Sequence, residues 1–150
     1  MNNFFEIKNT TFRISGSDKV RNVSFSIEHE GDIVCLLGPS GIGKTTILRS
    51  IAGLEKISEG KIILKGKTLS SKDTHVEPEH RKIALSFQEN SLFPHYTVEK
   101  NINLSSRDNK REKININEIV KILNLENILN HYPHQISAGE AQRVSLARSL

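Results

Sequence analysis

The sequence predicts an α/β fold in which helices surround a parallel sheet, and three observations carry that expectation. Ile33-Val34-Cys35-Leu36-Leu37 is apolar throughout and ends at Gly38-Pro39, the pattern of a strand buried on both faces. Val23-Ser24-Phe25-Ser26-Ile27 alternates strictly, as a half-buried strand does. Residues 45–52 place Ile47, Leu48, Ile51 and Ala52 on one helical face, and Gly53 stops that helix.

The remaining elements follow in chain order. Phe5, Ile7, Phe12 and Ile14 stand among polar residues in a loose strand pattern over residues 4–14, and Ser15-Gly16-Ser17-Asp18 is a turn. Glu30-Gly31-Asp32 turns the chain into the apolar run. Lys61-Ile62-Ile63-Leu64 is a short strand between Gly60 and Gly66. Residues 70–80 are polar, contain Pro78 and read as a surface loop. Ile83-Ala84-Leu85-Ser86-Phe87 is a further strand candidate. Helical patterns then cover residues 97–104, 117–123 and, most clearly, 137–150. No internal repeat is visible.

Composition narrows the function classes. The chain has 150 residues with 21 Lys+Arg against 17 Asp+Glu, a formal charge of +4. That length suits one domain with a real core. The longest apolar run is five residues, whereas a spanning helix needs about 20. Residues 1–4 lack the basic-then-apolar pattern of a secretory signal. Cys35 is the single cysteine, which excludes an internal disulfide, fits a reducing compartment and reads as a small core residue. Basic residues are spread out, and the dense stretch 107–113 is broken by Asp108 and Glu112, so a solvated loop is expected there. With no Trp and only Tyr96 and Tyr132 as tyrosines, stacking platforms for single strands are thin and no nucleic-acid partner is expected. The six histidines lack metal-ligand spacing and read as surface residues.

One motif carries chemistry on its own. Gly38-Pro39-Ser40-Gly41-Ile42-Gly43-Lys44-Thr45 matches G-x-x-x-x-G-K-[ST], preceded by an apolar run and followed by an amphipathic helix. Gly38, Gly41 and Gly43 let successive backbone N–H groups point inward at phosphate oxygens. The positive end of the following helix, which Thr46 enters, adds to that field. Lys44 places a point charge between the β- and γ-phosphates, and the Thr45 hydroxyl suits Mg²⁺, which takes few protein ligands. A second helix start, Ser137-Ala138-Gly139-Glu140, is a capping box with free N–H donors.

These two motifs in this order resemble the nucleotide-binding subunit of ABC transporters. The match runs through Ile136-Ser137-Ala138-Gly139-Glu140-Ala141-Gln142-Arg143-Val144 and on to Leu150, with Asn22-Val23-Ser24-Phe25 before the cradle and Ile51-Ala52-Gly53-Leu54 after it. Phe87-Gln88-Glu89 resembles the family's Q-loop, and residues 92–98 are similar to the stretch that follows it in importer-type members. The resemblance covers essentially the whole chain.

It implies a P-loop NTPase core with a mostly parallel sheet, an N-terminal antiparallel β subdomain and a helical subdomain, incomplete at the C-terminus. In that reading residues 1–150 form one ATP-binding domain, with the β subdomain and P-loop core over 1–87 and the Q-loop and helical subdomain over 88–150. Residues 38–46 would bind ATP, with Thr45 and Gln88 around Mg²⁺ and the attacking water. Ser137, Gly139 and Glu140 would contact the γ-phosphate held by a second ATP-binding subunit in a head-to-tail dimer. Residues 88–98 would receive the transmembrane permease subunits on the cytoplasmic side of the cell membrane. The implied function is ATP-driven solute import, of the iron, polyamine, sugar or thiamine type, with iron and polyamine favoured.

Three departures qualify the resemblance. Ala138 stands where the family signature has the first of two glycines. The adenine-stacking position falls on Phe12 or Ile14. No Asp follows an apolar run of four, so the Mg²⁺ carboxylate and catalytic base of the family are absent from these residues. The alternative function is therefore a truncated, non-hydrolysing nucleotide-binding fragment, with ATP hydrolysis by these 150 residues at background rate. D-x-x-G and N-K-x-D stretches do not occur, which disfavours a small GTPase, and a nucleotide kinase leaves residues 137–150 unexplained.

Overall fold

The computed structural model describes residues 3–13, 19–86, 92–104 and 115–150. The chain divides into two compact units, Met1–Ile83 and Ala84–Leu150.

The first unit is a four-stranded sheet with a helix. Strands β1 (Phe5–Arg13), β2 (Lys19–Ile27), β3 (Glu59–Leu64) and β4 (Lys67–Ser70) lie in the order β2-β1-β3-β4, and every neighbouring pair is antiparallel. Ile7 pairs with Phe25 on one side and Ile62 on the other. A bulge at Asn9, whose φ is 45°, shifts the register on both sides of β1. It lets Phe5, Ile7 and Phe12 share one buried set although simple alternation would separate them. The core joins these side chains to Ile57, Ile62, Leu69 and Ile47, the last from helix α1 (Lys44–Ala52). α1 buries Ile47, Ser50 and Ala52, while Leu48 is exposed, so its apolar face is narrower than the periodicity predicts. Gly53 ends it at φ 91°, with its N–H on Ser50 O at 3.1 Å.

The second unit is helical: α2 (Val98–Asn103), α3 (Ile116–Ile122) and α4 (Ala138–Ser149) close around Val98, Ile102, Val120, Leu125, Val144 and Ala147. Thr97 caps α2 by accepting from Lys100 N, and Asn115 caps α3 by accepting from Asn117 N. Arg143 of α4 donates from Nε to Leu123 O at 3.0 Å, tying α4 to the end of α3.

The mixed α/β expectation holds, and the sheet among the described residues is the expected antiparallel β subdomain; the buried strand expected at 33–37 needs correction. Among the described residues no strand pair is parallel, and residues 33–37 lie outside any strand. Ile33 is 99% and Leu37 83% exposed. A parallel strand becomes buried only when neighbours pair with it on both edges and helices cover both faces. None of the described strands does so here. Cys35 is accordingly exposed rather than a core residue. Residues 83–86 are likewise not a strand, and Phe87, the turn at 15–18 and the basic stretch 107–113 lie outside the described residues. β4 was not anticipated, and the loop after it carries a short 3₁₀ turn, Pro78–His80.

Candidate functional site: a phosphate cradle and a capped helix start

The cradle is built by the loop 38–43 running into α1. Gly41 (φ 80°) and Gly43 (φ 99°) take left-handed backbone, which side chains resist, so glycine is required at both. Gly43 is the N-cap of α1, so no side chain closes that helix start and its first turn holds no acidic residue. The first N–H groups of α1 are thus left for an anion, at the positive end of the helix dipole. Lys44 Nζ donates to Gly38 O and Pro39 O, both at 2.7 Å, and folds the ammonium back over the loop. Residues 38–42 and Thr45 are exposed, and Lys44 and Thr46 half-buried, so a ligand reaches them directly. The Thr45 hydroxyl is placed at the helix start, where a phosphate-bound cation would find it.

At the start of α4 the capping box forms as the spacing predicts. Glu140 N donates to Ser137 Oγ at 3.3 Å. Ser137 N and Oγ donate to Glu140 Oε2 at 2.8 and 2.7 Å. Those bonds, first that of the Ser137 hydroxyl and then that of its backbone N–H, hold the Glu140 carboxyl below the usual glutamate range. Ser137, Ala138 and Gly139 are exposed. A methyl group added at Gly139 would meet nothing closer than Arg143 Nη1 at 3.9 Å, so packing within this chain does not demand glycine there.

The other expected positions divide. Gln88 and Ile14 lie outside the described residues. Phe12 is wholly buried in the sheet core, so its ring is not offered to an adenine, which removes one of the two candidates for stacking. Phe93, His95 and Tyr96 form an aromatic group, with His95 and Tyr96 ring centroids 4.4 Å apart and the Arg148 guanidinium 5.5 Å from the Phe93 ring. Among the described residues no cluster of three His, Cys, Asp or Glu is arranged for a metal ion.

Arg81 is the residue that pattern reading missed. It is 1% exposed, and burial draws its pKa below the ordinary arginine value while Glu77 acts in the opposite sense. No periodicity or motif marks a buried cation in a polar loop. The available signal was a lone Arg between a proline-containing loop and an apolar run.

Comparison with known proteins gives a consistent result. A family model described as ABC transporter matches residues 20–150. A spermidine/putrescine import ATP-binding protein of Nitrosospira multiformis is 41% identical over 97% of this chain and 40% of its own length. An Fe(3+) ions import ATP-binding protein of Escherichia coli O157:H7 is 40% identical over 99% of this chain and 42% of its own. The chain thus spans about two fifths of the curated relatives it matches. Among solved structures, the dimeric structure of MJ0796, a bacterial ABC transporter cassette, superposes with a TM-score of 0.76 at 30% identity. It covers 97% of this chain and 68% of the other.

Proposed function

The chain belongs to the ABC transporter family, and from that premise we propose that it is the ATP-binding part of an importer subunit that couples ATP binding and hydrolysis to solute uptake. The observation that carries the reading is the uncapped start of α1 behind Gly43, with the Lys44 ammonium held beside it. Residues 38–46 bind the triphosphate: backbone N–H groups donate to its oxygens, and Lys44 exchanges the carbonyls of Gly38 and Pro39 for phosphate. The Thr45 hydroxyl and Gln88 would hold Mg²⁺ beside the phosphates, and the ion would supply charge neutralisation for phosphoryl transfer. The residues present fit the triphosphate, because the cradle is open, positive and free of carboxylates, and for a phosphate-bound Mg²⁺ they offer the exposed Thr45 hydroxyl.

Residues 1–87 serve as the core with the cradle and 88–150 as the helical part. Ser137 and Gly139, with Glu140 orienting the serine, meet the γ-phosphate of ATP held by a second subunit. Residues 88–98 meet the membrane permease, which sets the location at the cytoplasmic face of the membrane. The relatives' names favour polyamine or ferric iron as cargo over sugar or thiamine. Titration of the full-length protein with ATP tests the reading. Replacing Lys44 by Ala is expected to weaken binding roughly ten- to hundredfold, since a hydrogen bond to a charged group contributes about 1.5–3 kcal/mol. Affinity unchanged by K44A refutes it.

A further inference from the structure

We propose that Arg81 is a positioning residue for the phosphate cradle: it pins the far end of the helix whose near end binds the anion. This rests on the reading of residues 38–46 as a nucleotide site.

The guanidinium has five N–H groups, and all five have acceptors. Nε donates to Val76 O at 2.6 Å. Nη1 donates to Ser50 O and Ile51 O, each at 2.9 Å. Nη2 donates to Ser70 Oγ at 2.7 Å and lies 3.2 Å from His75 Nδ1. Arginine stays charged and has no acceptor, so donation is the only polarity open to the His75 contact, and Nδ1 must be unprotonated. Three separate pieces of chain meet at this one side chain: the last turn of α1, the end of β4, and the loop before the 3₁₀ turn.

The two α1 carbonyls lie at the helix's negative end, where a cation is stabilised; Ser50 O accepts from both Gly53 N and Arg81, and Ile51 O accepts from Arg81. Gly53 keeps the place open. A side chain there would collide with Arg81 Nε and come within 2.9 Å of Cδ and Cζ. α1 is nine residues, about 13 Å, so it acts as one short rigid rod. With its C-terminal end unfastened, the rod tilts and the N–H groups at the other end leave the geometry that phosphate oxygens require, which is set to within about half an ångström. Lysine cannot substitute: three hydrogens on one atom do not span α1, β4 and the loop.

The test uses the full-length protein and measures ATP affinity well below each variant's melting midpoint, with folding checked by circular dichroism. Arg81→Lys is expected to weaken ATP binding by about two- to thirtyfold. Ser70→Ala, which removes one of the five acceptors and leaves the guanidinium, is expected to shift it less in the same direction. Ile7→Val, a core change on β1 whose strand partners Phe25 and Ile62 do not touch Arg81 through any of its five bonds, lowers the melting midpoint without moving the affinity, which separates positioning from general stability. If Arg81→Lys does not fold, Ser70→Ala decides. Wild-type binding that K44A weakens, with Arg81→Lys and Ser70→Ala both at wild-type affinity, overturns the inference. Absence of ATP binding in the wild type overturns the nucleotide reading instead.

Discussion

Glu140 stands at the surface, yet both of its partners come from one residue. Ser137 donates to it from Oγ and from the backbone, and that pair fixes the start of α4. The carboxyl is therefore held below its ordinary value, first by the hydroxyl and then by the N–H. For a group whose folded pKa is depressed, the stabilisation is complete above the unfolded pKa and is lost as pH falls through the folded one. Thermal midpoints measured on descending pH should fall through and below the ordinary glutamate range in the wild type. They should fall less steeply in Glu140→Gln, and identical profiles refute the role of the charge. Gly60 is a second residue whose demand is local. It crosses the bulge of β1, where a Cβ would lie 2.5 Å from Asn9 O and from Thr10 Cα, at φ 85°. Backbone cannot give way there, so Gly60→Ala should cost about 3 kcal/mol or more in urea unfolding. The cradle was legible at this scale because every glycine and the lysine in it answer one chemical need at fixed spacing. Arg81 was not legible, because its five partners are separated along the chain and only folding collects them.

At the scale of elements, legibility followed how local the cause is. The capped starts of α2 and α4 and the glycine stop of α1 are set by residues within one turn of the event, and each lies where the sequence puts it. β4 escaped notice because Lys67-Thr68-Leu69-Ser70 contains one apolar residue. It is a strand because β3 pairs with it. The run 33–37 shows the opposite case, since its composition describes the surroundings of a central strand and a strand exists only with partners. Asn101 joins an element to its loop. It is wholly buried on α2; its Oδ1 accepts from Phe93 N at 2.8 Å, and its Nδ2 lies 3.0–3.1 Å from the carbonyls of Phe93, Tyr96 and Thr97. An aspartate keeps the acceptor and loses every donor, setting a charge against three carbonyls. Asn101→Asp should destabilise the protein by about 3 kcal/mol, read from chemical denaturation, and should leave the loop 93–97 sensitive to protease. A loss under about 1 kcal/mol would mean the loop is held by other contacts.

At the scale of the whole molecule, the proposed pairing of two subunits across ATP makes a demand that neither unit meets alone. The start of α4 has no structural need for glycine at position 139, since a side chain there finds room, and a carboxylate in the first turn suits the helix dipole. Gly139→Asp should therefore fold with undiminished stability. It should also bind ATP at the cradle with wild-type affinity, because residues 38–46 are untouched. If this surface meets the γ-phosphate held by a partner, however, the added negative charge faces the most negative group in the sandwich at close range. Association of the full-length protein with a non-hydrolysable ATP analogue, followed by sedimentation velocity, should weaken by roughly tenfold or more. K44A should weaken association for a different reason, its lowered affinity for the nucleotide. The pair of variants thus separates the two surfaces: one binds ATP as the wild type does and pairs weakly, the other is weakened in both. Gly139→Asp that associates as tightly as the wild type would place the partner's phosphate elsewhere, and the capping box would then be a device of folding alone.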